Sequence, residues 1–262
     1  ALTESAPLPL PLPARAAVKF ARLFERPTSA STEHRLAHAL TRLGPAYVKL
    51  GQFLATRPDV VGMAIARDLE SLQDKMPPFP QAAAEAEIEA SFGKPLKESF
   101  AAFGPAVAAA SIAQVHRAEV VDGKGRRTVA VKILRPGIER RFKLDVDAFM
   151  LAARTAENIS AEARRLRLIE TVNTLRRSVA IEMDLRLEAA ALSEMAENTK
   201  SDPDFRVPTV DWDRTARNVL TLEWIEGTPL HDRARLEAKG FDLKHLSRAV
   251  IQTFLRHALR DG

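Results

Sequence analysis

The run Ala108-Ala109-Ala110-Ser111-Ile112-Ala113-Gln114-Val115-His116, followed by Val129-Ala130-Val131-Lys132-Ile133, decides how the rest of the chain is read. The first segment has the spacing A-x-A-x-x-A-x-V, with Ala108, Ala110, Ala113 and Val115 at its fixed positions. In the second, a strand's period of two places Ala130 and Lys132 on one face and Val129, Val131 and Ile133 on the other. A small residue that admits a flat ring and an ammonium that reaches an anion therefore look the same way. Between the segments, Asp122-Gly123-Lys124-Gly125 carries a strong hairpin-turn signal.

This order resembles the nucleotide-binding hairpin of protein kinases, where a G-x-G-x-x-G-x-V loop covers the phosphates and a V-A-I-K strand follows. Alanine stands here for all three glycines. A Cβ removes the left-handed backbone freedom of glycine and holds the chain further from a phosphate. The alanine loop is therefore expected to be stiff and to fold less readily over a γ-phosphate. The expected nucleotide-binding set is Ala108, Ala109, Ala110, Ser111, Ala113, Val115, Ala130 and Lys132, with Glu223 and Ile225 from a later hinge.

Composition narrows the alternatives. At 262 residues, 46% hydrophobic and 28% charged, the chain can bury a substantial core. The absence of cysteine excludes disulfides and thiolate metal sites. A net charge of +5 suits a nucleotide or an anionic lipid surface, and with 6% aromatics it gives little support to nucleic-acid binding. No stretch is apolar for long enough to span a bilayer. His34 and His38 lie four apart without an H-E-x-x-H pattern and read as a solvated helix face. There is no secretory signal, and without an initial Met the chain reads as part of a longer protein.

Along the chain, the Pro-Leu alternation of 1–13 predicts polyproline II or disorder. A helical extension covers 14–100, beginning with a short basic, apolar helix around Arg15–Phe24. It is broken by Met76-Pro77-Pro78-Phe79-Pro80, and Gly93-Lys94-Pro95 ends the helix that follows. The α/β segment 101–227 contains the hairpin, a long helical region over 138–199, and two strands, 207–212 and 218–224, around Asp213-Arg214-Thr215. Helices fill 228–262.

Three further constellations stand out. In Lys49-Leu50-Gly51-Gln52, the glycine inside a helix points to close backbone approach, and Lys49 and Gln52 share a side. Glu182-Met183-Asp184 lies in the helical region. If it is uninterrupted helix, Glu182 pairs with Arg186 while Asp184 and Glu188 share a face, and any of Glu182, Asp184 and Glu188 could meet Lys132. Leu222-Glu223-Trp224-Ile225-Glu226-Gly227 is a strand running into a turn, whose backbone could serve an adenine edge.

Together these motifs resemble the UbiB family of atypical kinase-like ATPases of ubiquinone biosynthesis, from about residue 15 to the end. The resemblance rests on K-x-G-Q (Lys49, Gly51, Gln52), A-A-A-S-I-A-Q-V-H (108–116), the Lys132 strand and E-x-D (Glu182, Asp184). It implies an α+β fold: a protein-kinase-like small lobe with an N-terminal helical K-x-G-Q extension and the first helices of a large lobe. It also implies ATP or ADP as ligand with Mg in the complete protein, and K-x-G-Q helices that gate the active site. The partners implied are membrane lipids or prenylated quinone precursors, ubiquinone-biosynthesis enzymes and a homodimer, at the cytoplasmic face of a bacterial inner membrane. Nucleic acid is not among them. The family's catalytic loop and metal aspartate are expected beyond Gly262, so the chain alone is expected to lack turnover and to leave Leu243, Leu246, Val250 and Phe254 uncovered. The competing readings are a non-catalytic pseudokinase or lipid-binding regulator, and a small-molecule phosphotransferase.

Overall fold

A computed structural model describes residues 35–72, 76–123 and 125–261. The segments read as polyproline II (1–13) and as a basic apolar helix (15–24) lie outside the described residues, as does His34.

The fold is α+β. Four helices lead: α1 (Arg35–Leu43), α2 (Pro45–Ala55), α3 (Pro58–Val61) and α4 (Met63–Glu70). Next come α5 (Gln81–Phe92) and α6 (Leu96–Ser99), then strands β1 (Ala102–Ala109), β2 (Ala113–Asp122) and β3 (Gly125–Leu134). Helices α7 (Ile138–Ile159), α8 (Ala161–Leu166), α9 (Leu168–Glu182) and α10 (Leu185–Asn198) precede β4 (Val219–Glu223), and α11 (Arg233–Ala238) and α12 (Leu243–Arg256) follow it. The four strands form an antiparallel sheet in sequence order. Two compact units interleave along the chain. Of the described residues, one takes those from 35 to 77, 110–112 and 137–179, and the other takes those of 78–109, 113–136 and 180–261.

In the first unit, Pro45 and Pro58 open their helices at positions where a missing N–H costs nothing. Ala37, Leu69 and Leu72 form a small core with Leu36, Leu40 and Leu54 packed on it. Gly51 sits on this seam: a Cβ there would lie 2.3 Å from Leu72 Cδ1 and 2.7 Å from Leu40 Cδ1. Tyr47 of α2 meets Phe149 of α7 edge to face at 5.0 Å between ring centres. Arg57 and Asp59 pair with each other through two hydrogen bonds of 2.8 Å. Helix breaks fall at Ser160, which caps α8 by accepting from the Ala163 amide, and at Arg167, whose φ is 54°.

In the second unit, one sheet face is the core. Val129, Val131 and Ile133 are fully buried with Ala118, Val120 and Val219, and Ala84 and Ile88 of α5 cover them together with Phe100. The alternation read in 129–133 is therefore realised. Asp122 and Gly125 close the β2–β3 hairpin, with Gly125 at φ 94°. Edge strand β1 contains Pro105 and two register shifts, features that blunt an open edge.

Three sequence expectations change here. Ala108 and Ala109 belong to β1, opposite Val115 and Gln114, so the connecting loop narrows to 110–112. Residues 207–212 do not form a strand. Pro208 lacks an N–H, contact with β4 reduces to a bridge between Val210 and Leu222, and a 3-10 turn, Trp212–Arg214, follows. The helical region 138–199 is interrupted at Met183-Asp184, which alters the E-x-D geometry described below. No side chain of helix α12 is fully buried; of the four residues expected to be uncovered, Val250 and Phe254 are exposed while Leu243 and Leu246 are half-buried.

Candidate nucleotide-binding face

The face of the sheet opposite its core gathers most of the expected residues. Antiparallel register places Ala108, Val115, Lys132 and Leu220 side by side across the four strands, with Arg117, Ala130 and Leu222 in the neighbouring row. Small and apolar groups, of which Leu220 is fully buried, thus surround the Lys132 ammonium on this face, with the Arg117 guanidinium at its exposed side.

Lys132 Nζ lies 2.6 Å and 2.9 Å from the two carboxylate oxygens of Glu188. The local sequence explains why Glu188 is the partner. Asp184 is not inside a helix: it is extended, and as N-cap of α10 its carboxylate accepts the Arg186 amide at 3.1 Å. It also takes the Arg186 guanidinium in a fork at 2.6 Å and 2.9 Å, which holds the Asp184 carboxyl below its ordinary range. The expected Glu182–Arg186 pairing is therefore replaced by Asp184–Arg186. Glu188, one turn into α10, is the carboxylate that reaches Lys132, and neither Glu182 nor Asp184 does. The missed signal is the D-x-x-x-E spacing: an aspartate that caps a helix places the residue four later on its first turn.

The hinge candidate is partly committed. The Glu223 amide donates to Thr209 O at 2.8 Å and the Trp224 amide to Thr128 O at 3.3 Å. The Glu223 carboxylate accepts from Arg206 at 2.9 Å and from the Thr209 amide at 3.3 Å. Burial opposes its charge, yet these donors keep its pKa below the ordinary value. Ile225 follows as an exposed residue outside β4. At the rim, the Arg117 guanidinium stands 5.3 Å from the centre of the Trp224 ring.

Within the first unit, Ser111 and Ile112 at the loop tip are buried. Lys49 and Gln52 lie half-buried on α2, on either side of the buried Gly51.

Two polar clusters were not singled out from sequence. Gln114 and His116 alternate onto the core face of β2, where both are buried. The Gln114 side chain accepts from the Phe79 amide at 2.9 Å and stands 2.8 Å from His116 Nε2, while His116 Nδ1 lies 2.8 Å from Gly104 O. The ring stacks on Phe103 at 4.5 Å, and burial pushes its pKa down. At the hairpin end, Asp211 accepts from Arg127 and Arg214, and Arg214 also donates to Ser99 O at 2.8 Å. A Q-x-H in a strand and a charge-rich turn were the available signals. Among the described residues, no group of three or more His, Asp or Glu side chains could hold a metal ion, and no helix is long and apolar enough to cross a membrane.

Comparison with known proteins adds the family. Residues 71–262 match the ABC1 atypical kinase-like domain. A protein of Marinobacter nauticus named "Probable protein kinase UbiB" is 39% identical over 241 residues, covering 92% of this chain and 43% of that protein. Its namesake in Cellvibrio japonicus is 38% identical over 254 residues, covering 97% and 45%. The chain thus spans less than half the length of these relatives. A solved structure of a Mycobacterium tuberculosis protein with erythromycin is 28% identical at a TM-score of 0.44, covering 86% of this chain and 53% of that one.

Proposed function

Because this chain belongs to the ABC1 atypical kinase-like family, we propose that it supplies the nucleotide-binding half of an ATP- or ADP-binding kinase-like protein of the UbiB type, acting in ubiquinone biosynthesis. The observation that carries this reading is the Lys132–Glu188 pair on the sheet face opposite its core. In kinases a strand lysine oriented by a helix glutamate holds the nucleotide phosphates. Here Glu188 fixes the ammonium, and we assign Ala130 and Leu222 to the face of a flat base and the Ile225 backbone to its edge. Orientation and charge neutralisation are what these residues contribute. Transfer of the phosphoryl group needs a base and a metal-holding aspartate, which we assign to the remainder of the full-length protein.

The relatives' name supports a role of the UbiB type, and the +5 charge is compatible with the action on lipid-linked intermediates or their enzymes at a membrane face that we propose with it. The short loop 110–112, with Ser111 and Ile112 buried, also supports a second reading. In it, a loop that does not close over ATP makes the protein a nucleotide-sensing, non-catalytic regulator of lipid binding.

Titration of ADP and ATP, with and without Mg²⁺, into this chain and its Lys132→Ala variant tests the proposal. Saturable binding lost in the variant is the expected result. No binding by a folded chain, or binding that Lys132→Ala leaves unchanged, would overturn it.

A further inference from the structure

Arg117 is a second cation on the face that carries Lys132. It stands on β2 opposite Ala130, which in turn pairs with Leu222. Lys132 lies two residues further along β3, about 7 Å away by strand rise. In the other direction, the Trp224 amide donates to Thr128 O at 3.3 Å, so Trp224 continues the rungs of β4 opposite Thr128. The Arg117 guanidinium turns that way, away from Lys132, and stands 5.3 Å from the centre of the Trp224 ring. Because β3 lies between β2 and β4, the side chain crosses it, over Ala130 and Thr128, which are small enough to let it pass. No carboxylate pairs with Arg117 among the described residues, and Glu119 on the same face is taken by Arg126.

The ring is held at its other edge as well, where Trp224 Nε1 donates to the Glu226 carboxylate at 3.0 Å. Beyond the Trp224 amide, residues 225–228 make no backbone hydrogen bond among the described residues. The backbone assigned above to the edge of a base is therefore held by the Trp224 side chain, between Arg117 and Glu226. On the nucleotide-binding reading of the Lys132 face, on which this rests, we propose that Arg117 is the positioning residue for base recognition. Through Trp224 it fixes the exit of β4 so that the site takes adenine nucleotides in preference to guanine nucleotides. Adenine carries an amino donor where guanine carries an oxygen acceptor, so a fixed backbone C=O accepts from the first and repels the second. The match discriminates only while the backbone cannot shift to suit the other base. A direct contact of Arg117 with phosphate fits less well, because its guanidinium points away from the lysine that would hold one.

The test is calorimetric titration of ADP, GDP and inorganic pyrophosphate into the purified chain. The wild type should prefer ADP to GDP by about tenfold or more. Arg117→Ala should weaken ADP by about tenfold and leave GDP and pyrophosphate within about twofold, while Arg117→Lys, which keeps a cation over the ring, should stay within about threefold for ADP. Trp224→Leu should match Arg117→Ala, with no further loss in the double variant. Arg117 is exposed, so its variants should melt within about 2 °C of wild type. The chain's two tryptophans are Trp212 and Trp224, so in a Trp212→Phe background the emission reports Trp224 alone. ADP should change that emission and pyrophosphate should not. A wild type that does not distinguish ADP from GDP, or a ratio that Arg117→Ala leaves unchanged, would overturn the role of Arg117 while leaving that of Lys132 intact. Equal losses for ADP and pyrophosphate would overturn it too, making Arg117 a phosphate contact. A wild type that binds neither ADP nor pyrophosphate would overturn the nucleotide reading and the role of Arg117 together.

Discussion

Glu188 and Lys132 come together across 56 residues of sequence, with a carboxylate oxygen 2.6 Å from the ammonium. Their side chains keep 42% and 29% of their exposure, so solvent screens the pair. Its value to folding is about 0–1 kcal/mol. Glu188→Gln should therefore leave the melting temperature within about 2 °C of wild type. It should weaken ADP binding by about tenfold, because the ammonium loses the group that orients it. Calorimetric titration beside a thermal melt separates the two effects. A large fall in melting temperature with unchanged affinity would give the pair a purely structural role.

Asp184 belongs to the same motif but has a different task. Asp184→Ala removes the N-cap of α10 and should cost about 1 kcal/mol of stability. Asp184→Asn, which can still accept the Arg186 amide, should cost about half as much. Affinity for nucleotide should fall less than in Glu188→Gln, since α10 can fray while Glu188 is still present. Denaturant unfolding of both variants is the check. Equal losses of affinity at 184 and 188 would mean that Asp184 meets the ligand directly.

Arg214 ties the 3-10 turn to the sheet unit through Asp211 and the carbonyl of Ser99. The Asp211 side chain is only 5% exposed and is paired with Arg214 and Arg127. Arg214→Ala should destabilise the fold by about 2–3 kcal/mol, and Arg214→Lys should recover only part of this because an ammonium cannot fork. Urea unfolding of the two variants measures it, and a loss below about 0.5 kcal/mol would show that water replaces the arginine.

The sheet was legible because its evidence is local. The alternation over 129–133, the Asp122–Gly125 turn and the Gly93 stop each act within a few residues, and each appears where the pattern puts it. The partner of Lys132 was not legible. It depended on whether the chain stays helical through Met183-Asp184, and both Asp184 capping and an unbroken helix satisfy the same letters. The 207–212 segment misled for a related reason: its β-branched residues suit a strand, but Pro208 and the pull of Arg127 and Arg214 on Asp211 favour a bridge and a turn. For the charge cluster of residues 122, 127, 211 and 214 the sequence shows only a charge-rich turn at 211–214, and nothing local says that Asp122 and Arg127 join it.

His116 should make stability depend on pH. Burial lowers its folded pKa below the ordinary value, so the unfolded chain takes up a proton first as pH falls. Its contribution is fully present above about pH 6.5, the unfolded value, and is lost progressively as pH falls toward the folded pKa. Between pH 7.5 and 5.5 the wild type should lose stability, while His116→Asn should start lower and change less. Denaturant midpoints at the two pH values test this, and parallel slopes for both proteins would remove His116 as the cause.

Gly51 makes the sharpest packing prediction. A methyl there would fall 2.3 Å from Leu72 Cδ1 and 2.7 Å from Leu40 Cδ1. Leu72 is 7% exposed and packs with Ala37 and Leu69, so it cannot swing into solvent without opening the small core of α1, α2 and α4. Helix propensity favours alanine by up to about 1 kcal/mol, whereas overpacking costs about 1–3 kcal/mol, so the clash should win. Gly51→Ala should be destabilising, with faster amide exchange confined to residues 35–72 and little change in 113–136. The second unit, which holds Lys132 and Glu188, should keep its own protection. Hydrogen exchange followed by mass spectrometry reads both regions at once. Faster exchange across the sheet strands, or none in either region, would show that α2 does not approach its neighbours as closely as Gly51 permits.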